Sequence, residues 1–266
     1  MTGRASSPHI NKSGQSMADR FAIMDSVEGP EASERELGPG EAHVWTLPLA
    51  LEPHALAKLW NLLSSDEQLR ASRFRFDLHR NRFIAGRGLL RIVLGAYCGN
   101  APARLLFHYG PNGKPQLPAQ RLHFNLAHSE DVGVLAISEA GPVGVDIEHV
   151  RTLPEFDELV SRFFCTHEAE QFSALPEEQQ PDAFFNLWTR KEALLKATGE
   201  GIGESLNKVE VSFLPGDPAR IIAVPPERWA SQEWSFVELR VPLPCVATLA
   251  IPGQAAVSQF QIENSQ

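Results

Sequence analysis

Along the chain, a usable alternation of apolar and polar positions begins only near residue 41. Residues 1–40 are rich in Gly, Ser, Pro and Glu, with one short apolar patch, "RFAIM", and are expected to form a disordered N-terminal extension. "AHVWTLPL" then reads as a strand. "HALAKLWNLLSSDEQLRASRF" and "RNRFIAGRGLLRIVLGAYCG" carry apolar residues at helical spacing, the second ending on Gly99. "LLFHYGPNGKPQL" predicts a strand entering a Pro/Gly turn, and "LHFNLAHSEDVGVLAISEAGPVGVDIEHV" predicts three strands joined by turns. In "FFCTHEAEQFSAL", Thr166 is the expected N-cap, with Glu168 and Glu170 in the first turn. "DAFFNLWTRKEALLKATGEG" is a helix stopped by Gly199 and Gly201, and "KVEVSFL", "WSFVELRV" and "CVATLAI" are further strands.

The pattern repeats. "SSDEQLRASRF" followed by "GRGLLRIVLG" resembles "CTHEAEQFSAL" followed by "TRKEALLKATG" about a hundred residues later. Shared propensity and duplication both account for this. Duplication predicts an α+β fold of two halves, residues 41–143 and 144–257, with a site in the cleft between them and a tail at 258–266.

Within "GVDIEHV", strand alternation sends Val145 and Ile147 to one face, and Asp146 and Glu148 to the other. Two carboxylates buried side by side repel each other and lose their hydration, and a cation between them relieves both costs. On the helix that follows, Trp188, Glu192 and Lys196 share a face, because positions four apart stack. Asp146, Glu148 and Glu192 together would offer oxygen ligands to a hard cation such as Mg2+, and such a cation brings phosphate with it. The competing reading of Glu192 and Lys196 is an exposed ion pair one helical turn apart, and it stays open here.

Charge distribution sharpens this picture. From Asn61 to Ser129 there are ten Lys/Arg against three Asp/Glu, and from Glu130 to Gln180 twelve Asp/Glu against two Arg. A basic segment beside an acidic one suits an anionic ligand and a cation, although two solvated faces of opposite sign fit equally well. The net charge of −9 argues against nucleic acid. No apolar run approaches the roughly 20 residues of a membrane span, and no secretory signal is evident. Cys98, Cys165 and Cys245 are far apart and odd in number, as expected of reduced thiols in a cytoplasmic protein.

Several signals are discarded. "THEAEQF" lacks the second histidine of a zinc helix, "GEGIG" follows a helix rather than a strand, and the pair Cys165 and His167 is too commonplace to suggest a thiol nucleophile. His128 and Lys114 read either as surface and turn residues or as phosphate donors. Arg70, Arg73, Arg82, Arg87 and Arg91 lie on two helices and are expected mostly in solvent.

Taken in order and spacing, "FNLAHS", "GVDIEHV", "RFFCTHEAEQF" and "FFNLWTRKEALLKATGEGI" resemble the 4'-phosphopantetheinyl transferases of the Sfp type, from about Trp45 to Phe213. The resemblance implies a monomer of two pseudo-symmetric halves, each a small antiparallel sheet packed with helices, with coenzyme A and Mg2+ in the cleft. The first half would bind the coenzyme's phosphates and the second would carry the metal and catalytic carboxylates. Asp146, Glu148 and Glu192 would hold the metal, Glu192 would also be the candidate base, and Lys196 would face the pyrophosphate. Arg70, Arg82, Lys114 and His128 match positions that hold phosphates. The implied reaction moves phosphopantetheine from coenzyme A to a serine of an apo acyl or peptidyl carrier protein and releases 3',5'-ADP. Two departures stand out: Ala127 where the family often has Ser, and Glu67 where some relatives have a basic residue. The alternatives are another Mg2+-dependent nucleotide phosphotransferase or hydrolase, and a non-catalytic coenzyme A-binding module.

Overall fold

The computed structural model describes residues 37–38, 40–118, 121–199, 206–224 and 233–262. Residues 1–36 and 39 of the expected N-terminal extension, with its "RFAIM" patch, most of "GEGIG" and the end of the expected tail lie outside the described residues. The chain's contacts gather into two compact units, one containing 51–105 and the other 37–50 with 106–261.

Strand β1 (Glu41–Pro48) buries side chains on both faces. The helical run expected over 54–74 is two helices, α1 (Pro53–Trp60) and α2 (Ser65–Ser72). The break comes at Ser64, because Ser64 and Glu67 form a capping box in which the Glu67 carboxylate accepts the Ser64 N–H at 3.0 Å. α3 (Asp77–Cys98) ends at Gly99, whose φ of 65° suits a residue without Cβ. α1 crosses α3 at Gly88, where a Cβ would stand 2.7 Å from that of Leu59.

Two arginines of α3 depart from expectation. Arg87 and Arg91 are buried, and both donate to Glu67, Arg87 Nε at 2.9 Å and Arg91 Nε at 2.6 Å. Glu67 is therefore a structural anion with its own cations, which accounts for its presence where some relatives carry a base.

Short strands β2 (His108–Tyr109) and β3 (Pro115–Gln116) flank the "GPNGK" turn. The three strands expected next are β4 (His123–Ser129), β5 (Val132–Ser138) and β6 (Gly144–His149). They are followed by α4 (Phe156–Phe163), α5 (Thr166–Ser173) and α6 (Gln180–Thr198). α4 has no counterpart in the sequence reading. The N-cap of α5 is Cys165 rather than Thr166, because the Glu168 carboxylate takes the Cys165 N–H at 2.8 Å. The remaining strands are β7 (Glu210–Val211), β8 (Ile221–Ala223), β9 (Trp234–Glu238), β10 (Cys245–Pro252) and β11 (Ala256–Gln261).

The fold is α+β with small, mainly antiparallel sheets. One sheet runs β11-β1-β5-β4, with β1 and β11 parallel, and another runs β6-β10-β9. Residues 258–261, expected in a tail, complete β11, where Phe260 stacks on Trp45 with ring centroids 4.9 Å apart. One core packs Val44, Ala127, Val134 and Ala136 of the first sheet against Val145, Ile147, Ala247 and Leu249 of the second. A second core, rich in phenylalanine, joins α4, α5 and α6.

Candidate active site

The alternation read from "GVDIEHV" holds. Val145 and Ile147 are in the inter-sheet core, and Asp146 and Glu148 point from the other face of β6. Their cross-strand partners on β10 are Thr248 and Val246. α6 lies directly on β6, an approach made possible by Gly144, where a Cβ would sit 2.0 Å from the Ala193 carbonyl oxygen and 2.3 Å from the Ala197 nitrogen. Thr189 adds a hydroxyl contact to Thr248 at 3.2 Å. These contacts bring the stripe of Glu192 and Lys196 onto the acidic face.

Lys196 donates to Asp146 Oδ1 at 2.5 Å, so its ammonium is spent on the strand acid and the reading of Glu192 and Lys196 as an exposed pair is set aside. Glu192 is 4% exposed. Asp146 Oδ2 and Glu192 Oε1 are buried and have no hydrogen-bond partner among the described residues. Burial, and then the Asp146 charge, push the Glu192 carboxyl up to about 7. Burial also holds Asp146 above the usual carboxylate range, against the pull of Lys196. Glu148 is raised by burial and by the charge of Asp146, and its Oε2 accepts from Ser129 Oγ at 3.3 Å.

Among the described residues, no three His, Cys, Asp or Glu side chains already stand as a metal-holding group. The donor set nonetheless fits a hard cation. Among the described residues, two buried carboxylate oxygens lack donors, and a third carboxylate, two residues beyond Asp146 on the strand, is met by a hydroxyl and, at 4.0 Å, by Arg151.

Two residues with no part in the sequence reading hold the β4–β6 junction. Asn125 Oδ1 accepts the Val145 N–H at 2.8 Å, and Ser129 Oγ accepts the His149 N–H at 3.0 Å. Both stand in "FNLAHS", where they read as polar positions inside an apolar strand. His128 is exposed on β4 between Ala127 and Ser129. Lys114 does not extend into solvent, because Nζ donates to the carbonyls of Val143 at 2.9 Å and Lys196 at 2.5 Å. Burial, and then the nearby Lys196 charge, bring its pKa down to about 8. Arg70 and Arg82 belong to α2 and α3 of the other unit, and Arg70 lies over the Phe83 ring at 5.3 Å.

The thiols stay out of this chemistry. All three cysteines are free, and burial pushes Cys98 up to about 11 and raises Cys165 and Cys245. His167 is engaged with Glu210 at 2.6 Å. The two basic residues preceding Glu192 are structural. Arg190 reaches Glu238 and the Ser212 carbonyl, and Lys191 donates to Glu168 at 2.5 Å. No helix among the described residues is long and apolar enough to cross a membrane.

A profile of the 4'-phosphopantetheinyl transferase superfamily matches residues 142–249, the stretch that holds β6, α6 and β10. The chain is similar to the 4'-phosphopantetheinyl transferase HetI of Nostoc sp., 40% identical over 228 residues covering 84% of this chain and 93% of the relative. It is also similar to the transferase psf-1 of Bacillus pumilus, 35% identical over 57% of this chain and 64% of the relative. With the transferase Sfp of Bacillus subtilis it shares 28% identity over 62% of this chain and 71% of the relative. Similarity that runs through nearly the whole of one relative, with a family match over the stretch that holds the strand acids and α6, means that the chain belongs to the 4'-phosphopantetheinyl transferases, in the Sfp-like group.

Proposed function

We propose that this transferase takes phosphopantetheine from coenzyme A and delivers it, with Mg2+ in the site, to a serine hydroxyl of an apo acyl or peptidyl carrier protein. The observation that carries this reading is the pair of buried carboxylate oxygens without donors, Asp146 Oδ2 and Glu192 Oε1, beside an ammonium already committed to Asp146. Buried acceptors are nearly always satisfied, so a pair left open is the signature of a ligand site. Asp146 and Glu192 would hold the metal, with Glu148 joining them by leaving Ser129. When bound, the ion would supply charge neutralisation to the pyrophosphate.

The chain's own groups account for the rest. The serine oxygen forms a bond to the phosphorus that carries pantetheine, the bond to the bridging oxygen breaks, and 3',5'-ADP leaves. Such phosphoryl transfer depends on positioning and charge more than on covalent help from the protein. Glu192 would take the serine proton; burial raises its carboxyl to about 7 in the cation-free protein, and a bound cation would lower it. Lys196 sits on Asp146 Oδ1, where its positive charge stabilises the negative charge gathering on the leaving phosphate. Arg70 and Arg82 stay candidates for phosphate contacts on the resemblance alone, as does His128. Lys114, with two donors on carbonyls, adds at most its third. The protein would work as a cytoplasmic monomer.

Mass spectrometry of an apo-carrier protein incubated with the enzyme, coenzyme A and Mg2+ tests the reading, with the mass of phosphopantetheine expected on one serine and 3',5'-ADP in equal amount. No transfer to any of a panel of acyl and peptidyl carriers, with coenzyme A left intact, would overturn it.

A further inference from the structure

The "GPNGK" turn grips the end of the helix that carries Glu192 and Lys196. The last carbonyls of any α-helix lack partners within the helix, and buried ones need donors from elsewhere. α6 ends at Thr198, with Gly199 in the left-handed region at φ 79°. Thr198 Oγ1 serves the Leu195 carbonyl at 3.1 Å. Asn112 Nδ2 donates to the Gly199 carbonyl at 2.8 Å, and Lys114 Nζ to that of Lys196 at 2.5 Å. The donors therefore come from a turn more than eighty residues earlier in the chain. The turn is itself stiff, since Gly110 N–H bonds to the Lys114 carbonyl at 3.0 Å, Gly113 N–H to that of Gly110 at 2.9 Å, and Gly113 supplies a φ of 75°. A cation at this end also opposes the negative pole of the helix.

The second bond of Lys114 gives the contact its importance. The same ammonium that holds the backbone of Lys196 holds the Val143 carbonyl at 2.9 Å, immediately before β6. Lys114 thus ties together the main chains that carry the two members of the Asp146–Lys196 pair.

We propose that the Gly110–Lys114 turn positions the transferase site: Asn112 and Lys114 hold the last turn of α6 against the start of β6, and so set where the Lys196 ammonium meets Asp146 and the leaving phosphate. The consequence for turnover rests on the transferase reading above, whereas the capping does not. Lys114 and Asn112 are positioning residues here, acting through the helix backbone rather than on the reacting atoms.

The test uses the full chain, Asn112→Ala and Lys114→Met, and three measurements. Amide hydrogen exchange without any substrate reads the last turn of α6, where both variants should exchange at least ~5-fold faster than wild type while the phenylalanine core stays protected. Single-turnover transfer to an apo acyl carrier protein should slow at least ~10-fold for Lys114→Met and about 3-fold for Asn112→Ala, since small misplacements of catalytic groups are costly. Coenzyme A affinity of Asn112→Ala by calorimetry should change less than its transfer rate does, because that substitution removes no group assigned to substrate. Unchanged exchange at residues 194–199 in Asn112→Ala overturns the proposal, and so does a loss of coenzyme affinity in that variant equal to its loss of rate. Should Lys114→Met fail to fold, the exposed Asn112, which carries no charge, decides the matter alone. Exchange is read without substrate, so a failure of the transferase reading would leave that result standing and be recognised separately.

Discussion

Replacing Glu192 by Gln should make the metal-free protein more stable while disabling it. The Glu192 carboxyl titrates near 4.5 in an unfolded chain and at about 7 in the folded one, because burial and the Asp146 charge both oppose its ionisation. A folded carboxyl that holds its proton more tightly than the unfolded one penalises the fold once it ionises. The penalty is absent below about 4.5, grows as pH rises, and is complete above about 7, where it amounts to roughly 3 kcal/mol at about 1.4 kcal/mol per tenfold change in proton affinity. Gln keeps the shape and removes the charge, and no hydrogen bond to Glu192 Oε1 is lost because none is made among the described residues. Urea denaturation in a chelating buffer should therefore show a gain of about 3 kcal/mol at pH 8 that shrinks to nothing near pH 4.5. Turnover should fall at least ~100-fold over the same pH range. Mg2+ with coenzyme A should stabilise the wild type and leave the variant nearly unmoved. Equal or lower stability of the variant at pH 8, or a gain that does not vary with pH, would refute the electrostatic reasoning.

Other substitutions separate the remaining roles. Asp146→Ala should fold, abolish transfer, and lose most of the thermal stabilisation that Mg2+ with coenzyme A confers, as scanning calorimetry would show. Lys196→Ala should slow single-turnover transfer more than it weakens coenzyme A binding, the mark of a transition-state contact, and an equal loss of both would reduce the lysine to a phosphate clamp. Gly144→Ala places a methyl within 2.0 Å of the Ala193 carbonyl, so it should destabilise by about 3 kcal/mol or more in urea denaturation and lose activity as α6 is pushed off β6. Lys191→Met strands the buried Glu168 and should cost about 3–5 kcal/mol by the same assay.

What the sequence made legible was local. β4, β5, β6 and β10 follow from short apolar runs bounded by turn residues, and α6 from its period and its terminal glycine, because those signals sit within a few residues of one another. The helical stripe placed Glu192 and Lys196 on one face, but not which acid Lys196 would choose, since that depends on how closely α6 lies to β6. Gly144, the first residue of β6, is where that approach occurs, and it carries no weight in the sequence reading. β11 escaped notice because its partner β1 lies at the other end of the described chain and its side chains are only partly buried. Asn125 and Ser129 look like ordinary polar positions until β4 and β6 are brought together. Arg87 and Arg91 looked like solvent residues because nothing near them in sequence marks Glu67 as their shared anion.

The buried carboxylates supply the strongest argument that the openness of Asp146 and Glu192 has a purpose. Glu67 caps α2 and is met by Arg87 and Arg91 from the next long helix, and Glu168 caps α5 and is met by Lys191 from the next long helix. The Val211 N–H completes Glu168 at 3.0 Å. The same device thus recurs about a hundred residues apart, which favours duplication over shared propensity as the source of the repeated pattern. It also shows how this chain treats a buried acid when only folding is at stake, giving both carboxylate oxygens donors. α6 carries Arg190 and Lys191 next to Glu192, yet sends them to Glu238 and Glu168. Helix geometry turns Arg190 and Lys191, two and one residues away, off the face of Glu192, and no other group among the described residues supplies a donor to Glu192 Oε1 or Asp146 Oδ2, in contrast to the completed oxygens of Glu67 and Glu168. The stability forgone at Glu192 leaves two carboxylate oxygens open to a cation, so the site's capacity for a metal and its instability in the cation-free protein have one physical origin.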